Sequence, residues 1–190
     1  AAAMRNGGNA GYCDSVLARL ARNPAQEIDD TILGNAIYMV ERGRHDLRDL
    51  LRWVVKHLSD HPAVVAEVRA ICARPGADRR LSEACVQETL RLEQAELLLR
   101  KATAPFMLDG YHVPEGSWVC ALLRESHRDP AHFPEPERYR PDRFLERTYT
   151  VNEYAPFGFG DHQCLGRTFN LRAGATFVEE LATGYDWTVV

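Results

Sequence analysis

The feature that most limits what this chain can become is the stretch HRDPAHFPEPERYRPDRF, which places Pro130, Pro134, Pro136 and Pro141 between His127 and Phe144. Each proline removes a backbone donor and pushes the residue before it out of the helical region. No helix or sheet can run through such a segment. It must wrap the surface or fill a layer between regular elements that lie on either side of it.

Upstream the pattern is helical. A short amphipathic helix fits Asp14–Leu20, and a longer one begins near Glu27. Within the longer one Leu47, Leu50, Leu51, Val54 and Leu58 recur at helical spacing and define one buried face. Asp60-His61-Pro62 closes it. Residues 63–73 read as a further helix that Arg74-Pro75-Gly76-Ala77 breaks, and Ser82 suits the N-cap of another running through Leu92. The texture changes after Arg100. Phe106-Met107-Leu108, Asp109-Gly110 and Tyr111-His112-Val113 read as strand, tight turn and strand, and Trp118–Leu123 as a third strand. Downstream, Leu165–Ala182 is helical again with Gly184 as its C-cap, and WTVV is strand-like. The expected class is mainly α with a small β-sheet, an α+β fold, with residues 1–13 as a flexible tail and residues 14–190 as one structural part.

Composition excludes several classes. A net charge of −4 gives no reason to expect nucleic acid as a partner. No apolar run approaches the roughly 18 residues that span a bilayer. Five cysteines (Cys13, Cys72, Cys85, Cys120 and Cys164), odd in number and without a CxxC pair, argue against a disulfide framework and for a reducing cytoplasm.

One of those cysteines stands in FGFGDHQCLG, residues 157–166. Cys164 opens the expected helix, where unpaired N–H groups and the positive end of the dipole favour a thiolate. Gly158 and Gly160 leave room for backbone to approach a flat ligand, and Phe157 and Phe159 supply apolar walls. A thiolate in a dry pocket needs a positive partner, and a metal is the natural one. The same residues also suit a glycine turn before an amphipathic helix with Cys164 simply buried. Chemistry alone favours neither reading. A phosphate-cradling loop fails because no Gly-Lys-Ser/Thr follows the glycines, and His162-x-Cys164 lacks the second ligand pair of a zinc site.

The loop resembles the haem-binding loop of the cytochrome P-450 family, the haem-thiolate monooxygenases, with Phe157, Gly160, Cys164 and Gly166 at the pattern's positions. Glu88-Thr89-Leu90-Arg91 is similar to the family's Glu-x-x-Arg helix. Arg143 in YRPDRF stands where the family completes a triad with that pair. Trp53 with His61-Pro62 resembles the end of the long helix that crosses the haem, and DGYHVPEGSWV resembles the small sheet. The resemblance implies the C-terminal part of a cytochrome P-450-like fold carrying iron protoporphyrin IX.

It implies that Cys164 is the axial ligand, that His162 and Arg100 hold the propionates, and that Phe157, Gly158, Gly160 and Gly166 shape the loop. Glu88, Arg91 and Arg143 become a structural triad. The implied activity is oxidation of a small organic substrate, with a ferredoxin or reductase as electron donor and a missing N-terminal half, or a complementing chain, closing the pocket. One departure bears on the chemistry. His45 and Asp46 occupy the positions of the family's acid and threonine, so peroxide use or hydroperoxide rearrangement, with His45 and Asp46 as an acid–base pair, is an alternative. A haem-binding module without turnover is another.

Overall fold

A computed structural model describes Arg22 and residues 29–93 and 97–187. The expected tail, the helix at Asp14–Leu20 and, apart from Trp187, the WTVV close lie outside the described residues. The chain forms two units, the first ending at Asp46 and the second beginning at Leu47.

Helix α1 spans Asp30–Asp60, and the Asp29 carboxylate accepts the Ile32 N–H at 2.8 Å to cap its start. Its first part belongs to the first unit. In the second unit it buries Leu50, Val54 and Leu58, one residue per turn on a single stripe. Helix α2, Pro62–Cys72, starts with proline at its first turn, where the missing N–H costs nothing. Helix α3, Arg80–Glu93, is buried on nearly every side. Ser82 does not cap it: the hydroxyl-bearing residue sits inside the first turn, buried, and the Asp78 carboxylate takes the Arg80 N–H at 3.0 Å instead. Aspartate is as good a cap as serine, and placement decided between them.

Two antiparallel pairs follow. Strand β1, Leu97–Lys101, pairs with β4, Trp118–Leu122, while β2, Phe106–Leu108, pairs with β3, Tyr111–Val113. The turn Asp109–Gly110 has φ of 47° and 81°, as a two-residue hairpin with both central residues left-handed requires. The sequence reading missed β1. Three consecutive leucines show no alternation, and the strand exists through its pairing with residues about twenty positions later.

After the one-turn helix α4, Leu123–Ser126, no helix or strand occurs until α5, Arg143–Glu146. The proline-dense segment between them fills a layer. Phe133 and Tyr139 are buried, and Tyr139 stacks on His57 at 4.7 Å and donates to the Cys85 carbonyl at 3.1 Å. Helix α6, Arg167–Gly184, closes the unit. Gly184 is its last residue and Tyr185 its C-cap, one position later than expected. Helices α3 and α6 meet at Gly174, where a Cβ would lie 2.9 Å from Val86 Cγ2, so only glycine permits this approach. Leu81, Cys85, Val86, Leu90, Val178 and Ala182 form the shared core with the α1 stripe. The architecture is α+β, dominated by helix, as the sequence implied.

Candidate haem site

The cysteine loop is held by its own backbone. Gly158 and Gly160 adopt φ of 67° and 62°, a region that side-chain-bearing residues rarely enter. These two bends let the chain fold back, so the Cys164 N–H donates to the Phe157 carbonyl at 2.8 Å and the Gln163 N–H to the Gly160 carbonyl at 3.1 Å. Gly160 opens a short 3₁₀ turn, Gly160–His162. Helix α6 begins at Arg167 with Gly166 as N-cap, so Cys164 lies just before the helix and does not open it. Its thiol is free and exposed, not buried.

Strand β1 lies against this loop. A Cβ at Gly158 would meet Leu98 Cδ2 at 3.7 Å and the His162 carbonyl at 3.4 Å, and one at Gly166 would come within 3.7 Å of Cys164 Sγ. Arg100, two residues beyond Leu98 on β1, shares its face of the strand. Arg100 and His162 are both exposed, and the Arg100 guanidinium donates to the Leu99 carbonyl at 2.8 Å. Phe157 packs against the core, whereas Phe159, Leu165 and Phe169 are exposed. An accessible sulfur, glycines that leave its surroundings open and uncovered apolar side chains together suit a flat, largely apolar ligand.

A buried ionic network joins α3 to α5. Arg91 donates from Nε to Glu88 Oε2 at 2.8 Å and from Nη2 to Glu88 Oε1 at 2.9 Å, and Arg143 Nε reaches Glu88 Oε1 at 3.1 Å. Glu88 and Arg91 are 0% exposed and Arg143 2%. The Arg140 N–H adds a fourth bond to the carboxylate at 2.8 Å, and the arginines also bind the carbonyls of His127, Pro134 and Arg138. Sequence spacing gave the pair Glu88 and Arg91. The backbone partners were not legible, because carbonyl direction in an irregular segment leaves no sequence pattern.

The family model of cytochrome P-450 matches residues 51–181. The chain belongs to the cytochrome P-450 family. It is 32% identical over 176 residues to abscisic acid 8'-hydroxylase 1 of Oryza sativa subsp. japonica, covering 84% of this chain and 37% of that protein. To the mitochondrial cytochrome P-450 11B3 of Rattus norvegicus it is 35% identical over 156 residues, covering 81% of this chain and 30% of that protein. The solved structure of CYP175A1 from Thermus thermophilus superposes with a TM-score of 0.75 at 27% identity, over 90% of this chain and 43% of that one. The chain thus spans well under half the length of these relatives.

The cofactor of a cytochrome P-450 is haem ligated by cysteine. The residues present fit it. The exposed Cys164 thiol offers iron a ligand, and the uncovered Phe159, Leu165 and Phe169 suit a flat apolar ring. No described helix is long and apolar enough to cross a membrane.

His45 and Asp46 lie in the first unit, on α1. Asp46 pairs with Arg42 at 3.3 Å and His45 lies 3.8 Å from Glu41, with side chains 54% and 43% exposed. Arg44 Nη2 approaches His45 Nε2 at 3.1 Å. Each is engaged along its own helix.

Proposed function

We propose that this chain is the haem-binding part of a haem-thiolate oxidoreductase of the monooxygenase type, acting on a small organic molecule. The exposed Cys164 thiol behind two left-handed glycines carries the reading. Cys164 would hold the haem iron through its sulfur. The bound haem supplies oxidising power toward unactivated carbon, which no protein side chain provides. The chain's own residues do the rest. Gly158 and Gly160 make the left-handed bends of the loop, Gly166 keeps a side chain away from the sulfur, and Phe157 anchors the loop to the core. Arg100 and His162 offer cationic and hydrogen-bonding groups to the propionates from the two segments that meet at Leu98. Glu88, Arg91 and Arg143 hold the platform and take no part in chemistry. A ferredoxin or reductase delivers electrons, a complementing chain completes the pocket, and the setting is a reducing cytoplasm. The hydroxylase among the relatives supports hydroxylation as the reaction class.

A peroxide-driven variant of the same reading draws support from α1, which carries no serine or threonine between Thr31 and Ser59. Turnover with peroxide alone, and none with a reductase and NADPH, would select it.

The deciding experiment is the ferrous carbonyl spectrum of the haem-loaded chain. A thiolate adduct has a strongly red-shifted Soret band, and Cys164→Ser abolishes it while helical ellipticity persists. A band that survives the substitution refutes the assignment.

A further inference from the structure

The buried network and the cysteine loop are joined by one side chain that neither motif includes. His127, the first residue after α4, is 0% exposed. Its carbonyl accepts Arg91 Nη1 at 2.8 Å, and its ring nitrogen Nε2 accepts the Ala155 N–H at 3.0 Å. From Ala155 the connection continues in backbone: its carbonyl takes the Gly158 N–H at 3.0 Å, and the Phe157 carbonyl takes the Cys164 N–H at 2.8 Å. We infer that neutral His127 is the positioning residue that ties the Glu88–Arg91–Arg143 network to the cysteine loop, and that its protonation releases Ala155 and the loop behind it. The inference rests on the haem-thiolate reading and extends it to how the ligand is held.

The tautomer follows from the contact. Nε2 accepts a hydrogen bond, so the ring proton is on Nδ1, which is buried without a partner among the described residues. A second proton would have to sit on Nε2, pointing at the Ala155 N–H that this nitrogen now receives. Donor would then face donor, and the bond would be lost. The charged groups around the ring oppose protonation as well. From α3 comes Arg91, with Glu88 behind it already bound by two arginines. The adjacent Arg128 is held by the Leu92 carbonyl and Glu137. From the loop side comes Tyr154, its ring 5.0 Å away, its hydroxyl donating to the Gln87 carbonyl and its phenol pushed up by burial, so that it stays neutral. Phe133 closes the remaining edge.

Burial first, then the charges of Arg91 and Arg128, push the imidazole from 6.5 down to about 4. A folded value below the unfolded one means that the contribution is complete above about 6.5 and is lost as pH falls from there through about 4. The backbone contacts that lead from Ala155 to Cys164, nine positions later, therefore depend on a side chain that titrates in mildly acid solution.

The test is an acid titration of the haem-loaded chain, following the red-shifted ferrous carbonyl band and far-UV ellipticity together. The band is expected to fail before ellipticity does. His127→Gln, whose side-chain oxygen accepts the Ala155 N–H without titrating, is expected to move the band's midpoint about one pH unit lower. In the parent, NMR of ¹³C-labelled histidine is expected to show His127 neutral, with its proton on Nδ1, wherever the band persists. This arm stands even if the variant does not fold. A glutamine variant with the parent's midpoint overturns the inference, as does a charged His127 beside an intact band, or a band and ellipticity lost together. If the parent never shows the red-shifted band, it is the haem-thiolate reading that fails.

Discussion

Two Glu-x-x-Arg pairs, one on α1 and one on α3, have the same spacing and opposite surroundings. Glu41 and Arg44 meet at 2.9 Å on α1, with side chains 55% and 58% exposed. Glu88 and Arg91 meet at 2.8 Å on α3, and both are 0% exposed. Around the first pair the helix is a run of charges, Glu41 to Asp49, interrupted by Gly43 and Leu47, and each ion finds water or a neighbour. Around the second, α5 and the proline-dense segment exclude water and supply Arg143, the Arg140 N–H and four backbone carbonyls. An exposed pair gains little because solvent already satisfies both ions. A buried pair gains no more from its own attraction, yet losing a partner is costly once water cannot replace it. The pair is the same in both places; what differs is the cost of breaking it.

The largest effect that would test this contrast is Arg91→Ala. It removes two of the four bonds to the buried Glu88 carboxylate and frees the His127 carbonyl, at a cost of about 3–5 kcal/mol, so soluble haem-loaded protein should be lost. Recovery of stable holoprotein with merely slower turnover would break the comparison. Arg143→Ala is milder, because Glu88 keeps both bonds from Arg91. A loss of about 1.5–3 kcal/mol, the worth of a hydrogen bond to a charged group, should appear as a lower urea midpoint with folded protein still recovered.

Smaller again is His45→Ala. With His45 beside Glu41 and Arg44, and Asp46 held by Arg42, peroxide-driven oxidation should change no more than a few-fold. A fall of roughly 10²-fold would instead assign the pair the acid–base role that their sequence positions suggest. Arg44→Ala should do least: holoprotein yield and thermal midpoint should match the parent. Raising salt to about 1 M, where screening acts within about 3 Å, should erase any residual difference while leaving the Arg91→Ala defect untouched. A salt-sensitive Arg91 defect would mean that water reaches the buried pair.

Much of the site could be read from the chain because its parts are local. The bends at Gly158 and Gly160, the Asp109–Gly110 turn and the helical spacing of Glu88 and Arg91 each follow from residues within a few positions of one another. The parts that escaped are those completed from far away. Strand β1 is a strand through its pairing with β4, His127 matters through a backbone N–H 28 positions downstream, and Arg140 contributes its main chain. Asp78 in place of Ser82 as the α3 cap shows the same limit on a small scale, since both residues are competent and the packing of Ser82 inside the helix chose between them.

By itself the sequence determined the class of fold, the turns and the chemistry gathered around Cys164, because backbone preference and residue reactivity belong to residues and their immediate neighbours. Only the tertiary structure decided which of the Glu-x-x-Arg pairs is buried at 0% exposure, and that a histidine outside every motif connects it to the cysteine loop. Burial sums over neighbours brought together from the whole unit, and removal of water is what turns an ordinary ion pair into one the fold cannot lose.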